Sequence, residues 1–485
     1  TGRSLKMENV FLVLFLVQLL SCAYPLSVEL LYQRQKFNIE DFGAIGDAKT
    51  INTDAIQQAI QAAAQSGGGN VFVPSGIFVT GAFNLTSHVY LELADSAMLY
   101  ATDDPSQYVC LPSVTTDTGP CDYPLVNIVD SIDVAILGPG AINGGANDPE
   151  GHLVDHYDAQ NDFLVPKSLA LPGCDLSSYS CRPKLLVIKN SKSVILHGAQ
   201  LLNSPLWTVT VVESSDILVD GMEIIGDRRW PNNDGFDPVD SSDIIIQNTH
   251  IATGDDCICV ITHTAVPISN ITVQKSRFAS SSAALKISAF EATASGDITN
   301  ITFQNNQIYD SNRGLSIMPR WGTGRISNVL FKDITIQTRF FSSPWWGSAE
   351  PIYVTSLSES DTQEWTGVVD TIIFENIKAT SEAGVVVFGN TSLISNLTFS
   401  DVTIVISKWY SNTTNPVHDW RPSPPPSMVY APIDGFYLDG VNQLILQNCR
   451  VEFVGTTDPS WGICLNTTNV SDVTKDNFHC GITSN

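Results

Sequence analysis

A short phrase recurs along most of this chain. It consists of a polar turn, a run of alternating Val, Ile, Leu and Phe, then Asn, Asp or Gly, then a second brief apolar alternation. It reads Ser131-Ile-Asp-Val-Ala-Ile-Leu-Gly, Ser191-Lys-Ser-Val-Ile-Leu-His-Gly, Ser214-Ser-Asp-Ile-Leu-Val-Asp-Gly and Ser241-Ser-Asp-Ile-Ile-Ile-Gln-Asn. Further copies begin at Ile268, Ile298, Ile326, Val369, Ile394 and Val441. From Ser191 to Ile326 the starts lie 23 to 30 residues apart, a period that marks a solenoid. Very short β-branched runs, polar corners and no helical periodicity predict an all-β fold, a single-stranded right-handed parallel β-helix. The wider gaps at 326–369 and 394–441 predict loops thrown out from a coil.

A solenoid exposes apolar edges at its ends. From Thr53 the pattern changes to helical spacing, with Ala55, Ile56, Ala59, Ile60 and Ala63 on one face, Asn52 or Thr53 as N-cap, and Gly67-Gly68-Gly69 as the stop. This predicts an N-terminal capping helix. The stretch after about residue 456, with Cys464 and Cys480, is expected to close the other end. No Gly/Ser linker divides the middle, so residues 27–485 are expected to form one β-helix domain.

Residues 1–26 have the layout of a secretory leader. Arg3 and Lys6 precede an apolar run from Val10 to Val17, and Ser21, Cys22 and Ala23 supply small residues for cleavage. The run is short for a membrane span. Eight Asn-x-Ser/Thr sequons, at Asn84, Asn270, Asn300, Asn390, Asn396, Asn412, Asn466 and Asn469, and cysteine pairs close in sequence (110 with 121, 174 with 181, 464 with 480) agree with export. Cys257, Cys259 and Cys449 remain, so a free thiol is expected. The net charge of -25 argues against nucleic-acid and anionic-lipid partners, both of which need a basic face. A secreted monomer free of the membrane after leader cleavage is the expectation.

Acids interrupt the apolar rhythm twice, in Asn232-Asn233-Asp234-Gly235-Phe236-Asp237 and in Gly254-Asp255-Asp256-Cys257. Asp234 and Asp255 are about one coil apart, which sets three carboxylates in one groove. Crowded carboxylates cannot all ionise at their free pKa, and such a group can supply both an acid and a base to glycosidic cleavage. Asx-turn corners or a calcium site are the competing readings of the same spacing.

With these motifs the chain resembles glycoside hydrolase family 28, the polygalacturonase family, over roughly residues 36 to 455. The stretches Phe42-Gly-Ala-Ile-Gly-Asp47, Asn233-Asp234-Gly-Phe-Asp237 and Gly254-Asp255-Asp256 carry the likeness. The resemblance implies a right-handed parallel β-helix and an inverting hydrolase that uses no metal or cofactor. It implies Asp255 as the general acid, with Asp234 and Asp256 holding and deprotonating the attacking water. Asp237 is expected to shape the turn.

Two family motifs are missing. Where Gly-His-Gly is usual, this chain reads Ser282-Ala283-Ala284-Leu285-Lys286-Ile287, and where Arg-Ile-Lys is usual it reads Gly314-Leu315-Ser316-Ile317-Met318. Replacement substrate contacts are expected from Lys286, Arg313, Arg320 and Arg229, cations that offset the net charge locally. Arg228 belongs to the same group. The run Ser342-Ser-Pro-Trp345-Trp346-Gly-Ser-Ala-Glu350 offers two indole faces for sugar stacking and a carboxylate for hydroxyl groups. His263 is expected at the surface. The expected function is cleavage of an acidic, pectin-like polysaccharide or its oligosaccharides. A calcium-dependent lyase and a non-catalytic carbohydrate-binding protein are the alternatives on the same fold.

Overall fold

A computed structural model describes residues 29–483 except 114–120, 147–152, 175–180, 292, 361, 363, 409–416 and 456–459. The expected leader and the Asn412 sequon lie outside the described residues.

Twelve short parallel strands stack in chain order into one sheet. They are β1 (Phe83–Leu85), β2 (Val126–Val129), β3 (Leu186–Lys189), β4 (Val209–Val212), β5 (Phe236–Val239), β6 (Ile258–Thr262), β7 (Ala283–Ala289), β8 (Arg313–Pro319), β9 (Ile352–Thr355), β10 (Val385–Phe388), β11 (Phe436–Asp439) and β12 (Leu465–Thr468). The remaining faces of the coils form a second, 26-stranded assembly. The sequence repeat is the register of this helix, since Ile268, Ile298, Ile326, Val369, Ile394 and Val441 pair in succession. The expected right-handed parallel β-helix is the observed architecture.

Each part of the repeated phrase has a physical task. The phrase-opening serines lie inside and satisfy the buried backbone at a corner. The Ser191 and Ser214 amides donate to the hydroxyls of Ser214 and Ser241, each at 3.0 Å. Apolar residues of successive coils stack on one another: Phe303, Phe331, Phe374 and Phe399 lie with ring centroids 5.0, 5.1 and 4.8 Å apart. Such contacts add about 0.5–1.5 kcal/mol per pair beyond burial. Asn270, Asn300, Asn328 and Asn396 occupy one column with φ between 54° and 61°, a left-handed conformation that Asn tolerates better than most residues. Three of these are sequon residues, so part of the sequon count follows from the fold.

The predicted helix is present as α1 (Thr53–Gln65) and buries Ala55, Ile56, Ala59, Ile60 and Ala63. Asn52 stands at its N-cap but makes no side-chain cap bond. Its side chain instead ties Ile45, Thr50 and Val79 together. The C-terminal stretch differs from expectation. Residues Ser471–Asp476 and His479–Thr483 pair with the preceding coil and add one more, leaving Val473 and Ile482 exposed. Disulfides join Cys110 to Cys121, Cys174 to Cys181 and Cys464 to Cys480, and Cys257, Cys259 and Cys449 are free and buried. Among the described residues no helix is long and apolar enough to cross a membrane.

Candidate active site

The turns that enter the twelve-stranded sheet form one rim of a groove, and the turns that leave it form the other. Phe236 of β5 pairs with Ile258 of β6, so Asp234 and Asp256, each two residues earlier, occupy equivalent places one strand spacing apart (about 4.8 Å). Asp255 precedes Asp256 on the same rim. One carboxylate oxygen from each of the three lies within 4.8 Å of the others.

The turns are held from beneath. Asn233 accepts from the Gly254 and Asp255 amides at 2.8 and 3.1 Å, which locks the first acidic motif to the second. A Cβ on Gly254 would sit 2.0 Å from the Trp230 carbonyl, so only glycine fits between the two turns. Buried Arg182 donates to the carbonyls of Pro205 and Pro231 and to Asn232 Oδ1. The Asn232 amide in turn donates to Asp255 Oδ2 at 3.2 Å. Sequence reasoning did not identify Arg182, because its acceptors lie 23 to 50 residues away.

The three carboxylates differ in their surroundings. Asp256 accepts from Lys286 Nζ at 2.7 Å, Ser282 Oγ at 3.0 Å and the Ala283 amide at 3.0 Å, a shell suited to an ionised acceptor. Burial, then the neighbouring Asp256 charge, pushes the Asp255 carboxyl up to about 6, with Lys286 opposing the rise. Asp234 is raised well above the ordinary range by burial and by Asp255, and its buried Oδ1 has no hydrogen-bond partner. Burial works against the Lys286 ammonium, but the Asp256 charge holds its pKa above the usual value. The trio offers three oxygens of the kind a hard cation takes, although one member already carries the lysine ammonium.

Asp237 is also buried on the groove floor, with neither carboxylate oxygen hydrogen-bonded. Its pKa is raised by burial and by Asp256. The folded chain therefore retains a proton that the unfolded chain loses above about pH 4, so this group weakens stability as pH rises from there. Asp237→Asn should raise Tm by a few degrees at pH 7, with the gain shrinking towards pH 4. Thermal melts across that range test it, and a pH-independent change would contradict the assignment.

Several of the expected substrate contacts are turned to partners within the protein. Lys286 lies on the floor against Asp256. Arg313 and Glu350 are 2% and 1% exposed and pair with each other at 3.3 Å, while Arg313 also donates to the Asp419 carbonyl. They tie the start of β8 to the segment before β9 and are shielded from solvent. Trp345 is buried against Phe163. Arg229 is turned to Asp227 and to the face of Tyr157. Arg228 is partly exposed and bonds the Asp310 carbonyl. His263 is buried, 3.3 Å from Glu291. Trp346 and Arg320 remain partly exposed near the groove, with Arg320 bonded to Glu359. Trp207, Phe290, Asp419 and Arg421, which complete these contacts, have no local motif. The one sequence signal was the placing of Asp419-Trp420-Arg421 in the second wide gap of the repeat.

The fold and the carboxylate trio define a parallel β-helical protein of the carbohydrate-active kind. The family model described as glycosyl hydrolases family 28 matches residues 172–421, and the chain belongs to that family. The model for rhamnogalacturonase A/epimerase, pectate lyase-like, matches residues 36–91. A probable polygalacturonase of Vitis vinifera is 32% identical over 232 residues, covering 46% of this chain and 43% of that protein. An exopolygalacturonase of Zea mays is 28% identical over 229 residues, covering 46% and 48%. The chain thus spans less than half of either relative. The solved family 28 exopolygalacturonase of Yersinia enterocolitica has the same fold, with TM-score 0.65, 18% identity, and coverage of 90% of this chain and 78% of that one.

Proposed function

We propose that the protein hydrolyses glycosidic bonds in a uronate-containing, pectin-like polysaccharide. The observation that carries this reading is the trio of carboxylate oxygens within 4.8 Å of one another in adjoining coils. Asp255, with a pKa raised to about 6, is the general acid that protonates the leaving oxygen. Asp234, its pKa raised and one oxygen unpartnered, helps to hold the water, and Asp256 takes the water's proton. Family membership supports inversion of the anomeric centre. The oxygens here are closer than the roughly 6.5–9.5 Å of most inverting pairs, so the outcome is read from products: the first-formed anomer, followed by NMR, is expected to be inverted. Lys286 fixes Asp256 and does not grip the sugar. Export to the extracellular polysaccharide belongs to the same reading and is supported by the three disulfides; action as a monomer is proposed with it.

The test is product analysis on uronate-containing and neutral polysaccharides, without added calcium, beside Asp255→Asn. Saturated reducing sugars released by the wild type alone are expected. An ultraviolet-absorbing unsaturated uronate would mean a lyase, and no release from any polysaccharide would remove the hydrolase reading.

A further inference from the structure

A polymer lying along the groove would have to pass over the outward face of the twelve-stranded sheet from coil to coil. Two crossings bar that path. Trp207, on the rim before β4, meets Phe290, on the opposite rim after β7, edge to face with ring centroids 6.2 Å apart. Beneath them Val212, Val239 and Ile261 are at most 1% exposed, although they point outward from the helix. The second crossing lies further along the axis. Arg320, on the rim after β8, stands over the Phe290 ring at 4.5 Å and the Trp346 ring at 5.6 Å, and Trp346 comes from the opposite rim before β9.

Behind Trp346 the floor is covered. Trp420 packs on Met318, Tyr353 and Val386. The Asp419 carbonyl accepts from Arg313 at 2.6 Å and from the Tyr353 hydroxyl at 3.2 Å. Arg421 donates to the Ser343 and Trp345 carbonyls, each at 2.7 Å, and so staples this cross-piece to the Trp346 loop. The chain Trp207, Phe290, Arg320, Trp346 therefore runs from one rim to the other and back. Asp234, Asp255 and Asp256 sit on the first rim between its two ends. Of these three, Asp255 alone is more than slightly exposed.

We propose that these crossings convert the groove into a pocket that admits only the end of an acidic polysaccharide, so that the protein trims terminal sugars and does not cut within chains. This rests on the hydrolase reading above, and its physical basis is the loss of a continuous path for a chain extending past the carboxylates in both directions. Trp346 and Arg320 form one wall of that pocket.

Two measurements test it. Calorimetry with Asp255→Asn uses oligogalacturonides of increasing length, untagged or carrying a bulky fluorophore at the reducing or the non-reducing end. Affinity is expected to stop rising after the first few sugars, and one of the two tags is expected to weaken binding by about tenfold or more. The wild type is expected to release short terminal products from polygalacturonate with little early loss of viscosity. Early release of mixed oligomers with rapid loss of viscosity, or equal tolerance of both tags, overturns the pocket and leaves the hydrolase standing. Tag-sensitive binding without turnover keeps the pocket and removes the hydrolase. Neither binding nor turnover removes both.

Discussion

Asp255→Asn is expected to lower kcat on an acidic polysaccharide by about 10²–10⁴-fold, the usual worth of a positioned general acid, with little change in folding or in affinity for oligosaccharides. The substitution is nearly isosteric. Its one amide oxygen can still accept from one of the two amides that hold Asp255, Asp256 N–H on Oδ1 or Asn232 N–H on Oδ2, but the side chain can no longer give a proton to the leaving oxygen. The wild-type pH profile follows from the same group. An acid must be protonated to act, so activity should be present below the Asp255 pKa of about 6 and fall as pH rises through it. This limb should be absent from the residual activity of the Asn variant. Turnover within tenfold of wild type would move the acid role to another group.

Lys286→Met should lower kcat by at least about tenfold and move the alkaline limb of the profile to higher pH. The lysine charge opposes the rise of the Asp255 pKa, so its removal lets that pKa climb further. Asp256 loses its 2.7 Å ammonium partner and becomes a worse-placed base, and the unpaired buried charge should cost about 3–5 kcal/mol of stability. A lysine that gripped a sugar carboxylate would behave differently. Its loss would raise KM selectively for charged substrates, with kcat and the pH limb unmoved. Lys286→Arg should restore part of kcat and most of the limb. Steady-state kinetics across pH on both variants, with thermal melts alongside, separates the two roles.

The legible parts of this protein are those whose causes lie within one coil of the chain. The Ser191, Ser214 and Ser241 ladder, the left-handed Asn column and the apolar stacks recur in sequence because every coil must solve the same corner and core again. The helix α1 showed its buried face by its spacing alone. The three aspartates were visible because two short motifs one coil apart must stand side by side once the coils stack. The partners of Lys286, Arg313, Glu350 and Trp345 were not legible, for the opposite reason. A cation beside a groove and an indole in a long loop look alike in sequence whether they face a sugar or a protein partner.

The sequence by itself thus determined the solenoid, its register and the rim that carries the acids, since stacking turns periodicity directly into position. Only the tertiary structure decided which charges are consumed inside the protein. Arg313 meets the Asp419 carbonyl across 106 residues, and Trp207 meets Phe290 across three strands of the sheet. Long side chains lean over several coils, and the repeat constrains where each backbone lies but not where those side chains end.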